Sequence, residues 1–293
     1  MIQAEPKAPG STGTVPRHHV TDFEQWRTVT SLQLGHYLRT NRFFGLLAFV
    51  TLISALTLAF QVDTGIAAVR LQQLYRSSEY LSNNLVYTGL WVVLAAAFFG
   101  GDALSVDFST GTGYYMLVLP IRRPVLLAGR YAAATLVTLA IVGVDYGFSA
   151  AGAIYFFGAP NIPWVLLAES FGVAAVFALA ALSVAFCLSA FIRSPSAGVL
   201  VTVLLLYVGF TTLNLTVEGA GVEPWFSLPY AGGAMAAILD TDFVHIQTIP
   251  LGEDQYTTIW VATVIEGLEI MAAYVAVFLP LSAYLYQRKE STG

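Results

Sequence analysis

The sequence predicts an all-α integral membrane protein with six transmembrane helices. Of its 293 residues, 57% are hydrophobic and only 11% charged, with a mean hydropathy of +0.70, well outside the usage of soluble domains. Six stretches are long and apolar enough to cross about 30 Å of hydrocarbon as helix. The thirteen Lys and Arg residues also fall very unevenly between the connecting segments. The net charge of −5 does not decide topology, because placement of charge does. A lipid bilayer is the expected surrounding, and nucleic acid is not expected as a partner.

Residues 1–22 are rich in Pro, Gly, Ser and Thr and read as a disordered tail. They hold no apolar core of the kind a cleaved signal peptide needs. The adjacent His18 and His19 read as a solvated pair, with no third metal ligand nearby. Thr21 and Glu24 have the spacing of a capping box, so a helix is predicted from there. Over 23–42, Phe23, Trp26, Leu34, Tyr37 and Leu38 fall roughly on one side, with Arg27 and Arg39 free to meet headgroups. This predicts an interfacial helix; the alternative is a plain extension of the first span.

The six-span domain is predicted over 43–290, with spans at about 43–60, 81–99, 124–157, 162–191, 197–217 and 258–286. The third and fourth exceed the need and should tilt, kink or project. The stretch PWFSLPYAGGAMAAIL, 224–239, is too short and too broken by Pro and Gly to span, and reads as a re-entrant or interfacial outer segment before span 6. With the N-terminus cytoplasmic, eleven basic residues lie inside, and only Arg70 and Arg76 lie outside. Both termini are therefore expected in the cytoplasm and the chain in the cell membrane. The outer segment 218–258 carries Glu218, Glu223, Asp240, Asp242, Glu253 and Asp254 and no Lys or Arg.

Between spans 2 and 3 runs GGDALSVDFSTGTGYYMLVLPIRRP, residues 100–124, on the predicted cytoplasmic side. Gly100 and Gly101 should end the second span, and Asp102 is placed to cap a short helix through Asp107. Ser109 to Gly113 then bend the chain, Tyr114 to Leu119 give it an apolar flank that Pro120 ends, and Pro124 suits the first turn of the next helix. The local pattern fits a docking element; it fits equally a loop that only covers neighbouring helix ends.

The residues Asp102, Asp107, Gly111, Thr112, Leu119, Pro120, Arg122, Gly129 and Arg130 are arranged as Gly and acid after a span, Gly-Thr, Leu-Pro-x-Arg and Leu-Leu-Ala-Gly-Arg. In this the chain resembles permeases of the type-2 ATP-binding-cassette exporter family. YLRTNRFF before the first span, the six spans, and the broken apolar stretch before the last one are similar to the family as well. The resemblance implies that the segment between spans 2 and 3 is a coupling helix. Asp102, Ser105, Asp107, Gly111, Thr112, Arg122 and Arg123 would then meet a separate nucleotide-binding subunit, and Arg122 and Arg123 equally well serve topology alone. The chain departs from the family in having Ser109, where members commonly have Glu, two residues before the Gly-Thr. The resemblance also implies a working dimer, with a second copy or a related permease.

The chain has no GxxxxGK[ST] to cradle phosphates; its two lysines, Lys7 and Lys289, lie in other contexts. It is thus not expected to be an enzyme or to hold a cofactor itself: ATP and Mg would sit on the partner subunit. No HExxH occurs, the spans contain no His, and His36 and His245 stand isolated in sequence. The lone Cys187 reads as a small buried hydrophobe.

Asp145, Glu169, Glu266 and Glu269 fall within predicted spans, toward the outer half. A charge in hydrocarbon costs roughly 2.5–3.5 kcal/mol, so each should face protein, water or another polar group. They predict an acidic outer vestibule or path for a cationic or amphipathic substrate. The alternative is satisfaction by hydroxyls or water near the headgroups. Trp91, Trp164, Trp225 and Trp260 are expected near span ends. Gly143 and Gly147 have the spacing for close helix approach. Two rival functions remain: an ion-coupled secondary transporter using the acidic residues, and a non-transporting membrane anchor or assembly subunit.

Overall fold

The computed structural model describes residues 21–72, 74–106, 122–240, 243–252 and 255–290. Its first helix, α1 (Asp22–Leu38), opens on the expected capping box: Glu24 N donates to Thr21 Oγ1 at 3.3 Å, and Thr21 N donates to Glu24 Oε2 at 3.0 Å. A break at Arg39 and Thr40 leads into α2 (Asn41–Leu71), which is longer than the predicted first span and turns sharply at Gly65, φ +74°. Span 2 is built from α3 (Ser77–Leu85) and α4 (Thr88–Gly100), span 3 is α5 (Arg123–Phe157), and span 4 is α6 (Trp164–Phe191). Span 5 consists of α7 (Pro195–Val203), a π-helical turn (Leu204–Gly209) and α8 (Phe210–Gly219).

The broken stretch 224–239 forms two short helices, α9 (Leu228–Gly232) and α10 (Ala234–Ala237), which pack on α3, α6 and the last span. An antiparallel hairpin follows, β1 (Ile246–Gly252) and β2 (Gln255–Trp260), and then α11 (Val264–Glu290). This corrects two expectations. The sixth span starts at Val264 rather than near Thr258, and the chain is not purely helical. The run IQTIPLGEDQYTTIW has two stretches rich in β-branched and aromatic residues on either side of a polar Gly-Glu-Asp-Gln, the pattern of a hairpin. Six helical segments are long and apolar enough to cross a membrane, so the protein is a multi-pass membrane protein of predominantly α-helical fold.

Spans 2, 3 and 4 form the centre, with α11 packed along α6 and α1 along α5. Ala95–Ala97 on α4 and Ala178, Ala181 and Ala185 on α6 are all buried; side chains this small let the two helices approach closely. Hydroxyls join helices where hydrocarbon would leave them unpaired. Tyr131 donates to Leu179 O at 2.6 Å, and Ser170 donates to Met235 O at 2.7 Å, holding the segment before span 6 against α6. Spans 1, 5 and 6 leave apolar faces uncovered, including Phe49, Leu52 and Leu56 on α2 and Leu204 and Val208 in span 5. Cys187 is buried as expected. Trp91 is buried in the bundle against Phe49 instead of lying at a span end. A Cβ at Gly143 or Gly147 would meet nothing within 4 Å among the described residues, so their spacing does not bring helices together there.

Candidate functional site

The start of the segment between spans 2 and 3 is fastened into the bundle from several sides. Asp102 is buried, and its carboxylate pairs with Arg42 at the start of α2. Its side chain therefore reaches across to span 1 and does not cap the short helix predicted after it. Burial pushes the Asp102 carboxyl above the usual aspartate range, against the pull of the Arg42 guanidinium. The Leu104 and Ser105 amides both donate to Ser189 Oγ, at 2.9 and 3.1 Å, near the end of α6. Ser105 Oγ donates to Asp102 O at 3.2 Å, and Arg130 Nη1 of α5 donates to Ala103 O at 3.0 Å. Asp102 and Ser105 thus face the protein interior and fasten the start of the segment to the bundle.

Two residues of the Leu-Leu-Ala-Gly-Arg run now have physical reasons. Gly129 lies where α1 crosses α5: a Cβ there would sit 2.7 Å from Val29 Cγ1. Arg130, one residue on, turns inward to the Ala103 carbonyl. Arg122, at the far end of the segment, pairs with Asp22 of α1 at 2.8 Å, and Arg123 opens α5. Asp107, Gly111 and Thr112 lie outside the described residues. Arg42 and Ser189 escaped the sequence reading, Arg42 because it served as a topology charge and Ser189 because it sits in an alanine-rich span.

A second site lies within the spans. Asp145, about two-thirds of the way along α5, is buried and accepts hydrogen bonds from Ser54 Oγ of α2 at 2.9 Å and Thr88 Oγ1 of α4 at 2.8 Å. It borders a cavity of about 760 Å³ between spans 1, 2 and 3. Beside it in the wall, Tyr80 donates to Gln61, Gln61 Nε2 donates to Asn84 Oδ1 at 2.9 Å, and Trp91 is part of the lining. The carboxylate is satisfied by hydroxyls, with no basic side chain bonded to it among the described residues. Such a site favours a cation or a proton. Ser54, Thr88, Gln61 and Asn84 carry no sequence signature, because they converge only through packing.

The four span acids sit in different surroundings. Glu169 and Glu269 are exposed and make no hydrogen bond or ion pair among the described residues. Glu266 caps α11, accepting from Thr263 N at 3.0 Å and Thr263 Oγ1 at 2.8 Å. Nor is His245 isolated in space: Nε2 lies 3.9 Å from Glu223 Oε1, and Nδ1 lies 3.9 Å from Glu266 Oε2. No protein-family model and no curated protein matches the chain.

Proposed function

We propose that the chain is the membrane-spanning permease subunit of an ATP-driven exporter. A separate nucleotide-hydrolysing subunit would grip the part of the 102–115 segment that lies beyond the buried Ser105, and ATP and Mg would bind on that subunit. The working unit would contain a second copy or a related permease, in the cell membrane with both termini cytoplasmic. The resemblance to type-2 ATP-binding-cassette permeases supports this reading, as does the lack of a P-loop. One structural observation carries it furthest. The base of the segment is tied to span 1 by Arg42, to span 3 by Arg130 and to span 4 by Ser189. A partner moving this segment would move three spans as a unit, which is what transmission between two states of a permease requires. Arg122 and Asp22 would carry α1 along.

A chain lacking Cys187 (Cys187→Ser) and carrying a single new thiol (Thr112→Cys) tests the contact. Cross-linking in native membranes is expected to yield an adduct whose partner peptides include a GxxxxGK[ST] sequence. Adducts to the chain itself alone, or none, would remove the reading.

Asp145 favours a second reading, an ion-coupled transporter. A carboxylate held by two hydroxyls beside a polar cavity within the spans suits a cation that binds and leaves. That reading needs no nucleotide: transport would follow an imposed proton or sodium gradient in vesicles holding only this chain.

A further inference from the structure

We propose that Glu223, His245 and Glu266 bind a divalent transition-metal ion of the zinc class at the acidic end of the bundle. The three come from separate segments: the link between α8 and α9, the residue before β1, and the first turn of α11. One donor atom from each lies within 4.8 Å of the others. The hairpin makes the meeting possible, since Val261 N pairs with His245 O at 2.9 Å just beyond the paired strands.

Each candidate ligand is already oriented by a partner of its own. His245 Nδ1 lies 2.9 Å from the Val261 carbonyl, which can only accept, so Nδ1 carries the proton and Nε2 keeps the lone pair. The Trp260 ring packs edge-on against the imidazole, with centroids 5.5 Å apart. Tyr230 donates to Glu223 Oε1 at 2.5 Å, and Thr263 holds Glu266 Oε2. The other oxygen of each carboxylate has no hydrogen bond among the described residues. Ligands supported in this way are typical of metal sites, in which outer partners fix the tautomer and the carboxylate.

The donor set selects the ion. One imidazole nitrogen with two carboxylates suits zinc and its first-row neighbours, whereas calcium prefers six to eight oxygens. Two negative charges facing a neutral imidazole leave a divalent ion neutralised. Zinc bonds of about 2.0–2.2 Å require the donors to close in from their present spread. All three side chains are partly exposed, so an ion can reach them from solvent. A bound ion would clip the hairpin and the residue-223 segment to the start of span 6.

The test is Zn²⁺ titration by calorimetry on the untagged full-length chain in detergent, with His18→Ala and His19→Ala removing the tail pair. One equivalent is expected to bind and to raise the unfolding temperature. Glu223→Gln, His245→Ala and Glu266→Gln should each weaken binding about tenfold or more. Glu266→Gln keeps a side chain able to cap α11, and melting without metal reports whether each variant folds. Absence of binding up to about 1 mM Zn²⁺, a Kd scale of negligible affinity, would overturn the proposal. So would equal binding by wild type and His245→Ala. A variant that loses stability identically with and without Zn²⁺ would leave only an ion trio of protonated His245 between two carboxylates, and that also overturns it.

Discussion

Arg130 of α5 donates to the main-chain carbonyl of Ala103 at 3.0 Å, binding span 3 to the base of the segment after span 2. Both groups are buried, so the guanidinium is the carbonyl's replacement for water. Arg130→Met should cost about 1.5–3 kcal/mol, the range for hydrogen bonds to charged groups. Thermal unfolding of the purified chain in detergent measures it. Arg130→Lys should recover only part, because a point charge does not reproduce the guanidinium fork.

Gly129 sets how closely α1 lies on α5. Gly129→Ala places a methyl 2.7 Å from Val29 Cγ1 and 3.3 Å from Thr30 N, so α1 must lift. Overpacking of this kind costs about 1–3 kcal/mol. Faster proteolysis within α1 is the expected sign. Val29→Ala in the same chain should relieve part of the effect, since it removes the nearer contact and keeps the helix.

Asp145→Asn keeps an acceptor for one of Ser54 and Thr88 and offers the other hydroxyl an amide N–H to accept, while removing the charge. The fold is expected to persist, with an unfolding temperature close to wild type, while uptake or efflux of an organic cation by membrane vesicles falls at least tenfold. Asp145→Leu should instead destabilise, because two buried hydroxyls lose their acceptor at about 1–3 kcal/mol each. Unchanged transport in Asp145→Asn would make the carboxylate a packing feature.

Burial raises the Asp102 pKa, with Arg42 opposing, so the folded chain holds this proton more tightly than the unfolded one. The sign follows directly: stability from this group is highest below its unfolded pKa of about 3.9 and falls as pH rises through the raised folded value. The melting difference between wild type and Asp102→Asn, followed upward from about pH 4, should therefore move against wild type. Movement in the opposite direction would mean that pairing with Arg42 outweighs burial.

The spans were legible because apolar length is a composition property, and the Thr21 and Glu24 box because its spacing is local. The hairpin was hidden by reading Thr258 and its apolar neighbours as the start of a helix, although the β-branched and aromatic runs on either side of the polar stretch 252–255 carried the signal. The partners of Asp145 were not legible: Ser54 and Thr88 lie 91 and 57 residues away in sequence and are ordinary span hydroxyls. His245 looked isolated because Glu223 and Glu266 reach it only after the hairpin folds back. Gly129 and Arg130 were visible as a pattern, but their roles needed Val29 and Ala103 in place.

ATP hydrolysis by the chain isolated from its native membranes in mild detergent tests the central claim most directly. The account predicts Mg-dependent hydrolysis eluting in constant ratio with the chain, through a P-loop subunit held by the segment between Ser105 and about residue 115. Combining Asp107→Lys with Gly111→Pro should abolish it while the spans stay folded. A chain isolated intact without nucleotide hydrolysis, yet still moving an organic cation on an ion gradient, would contradict it.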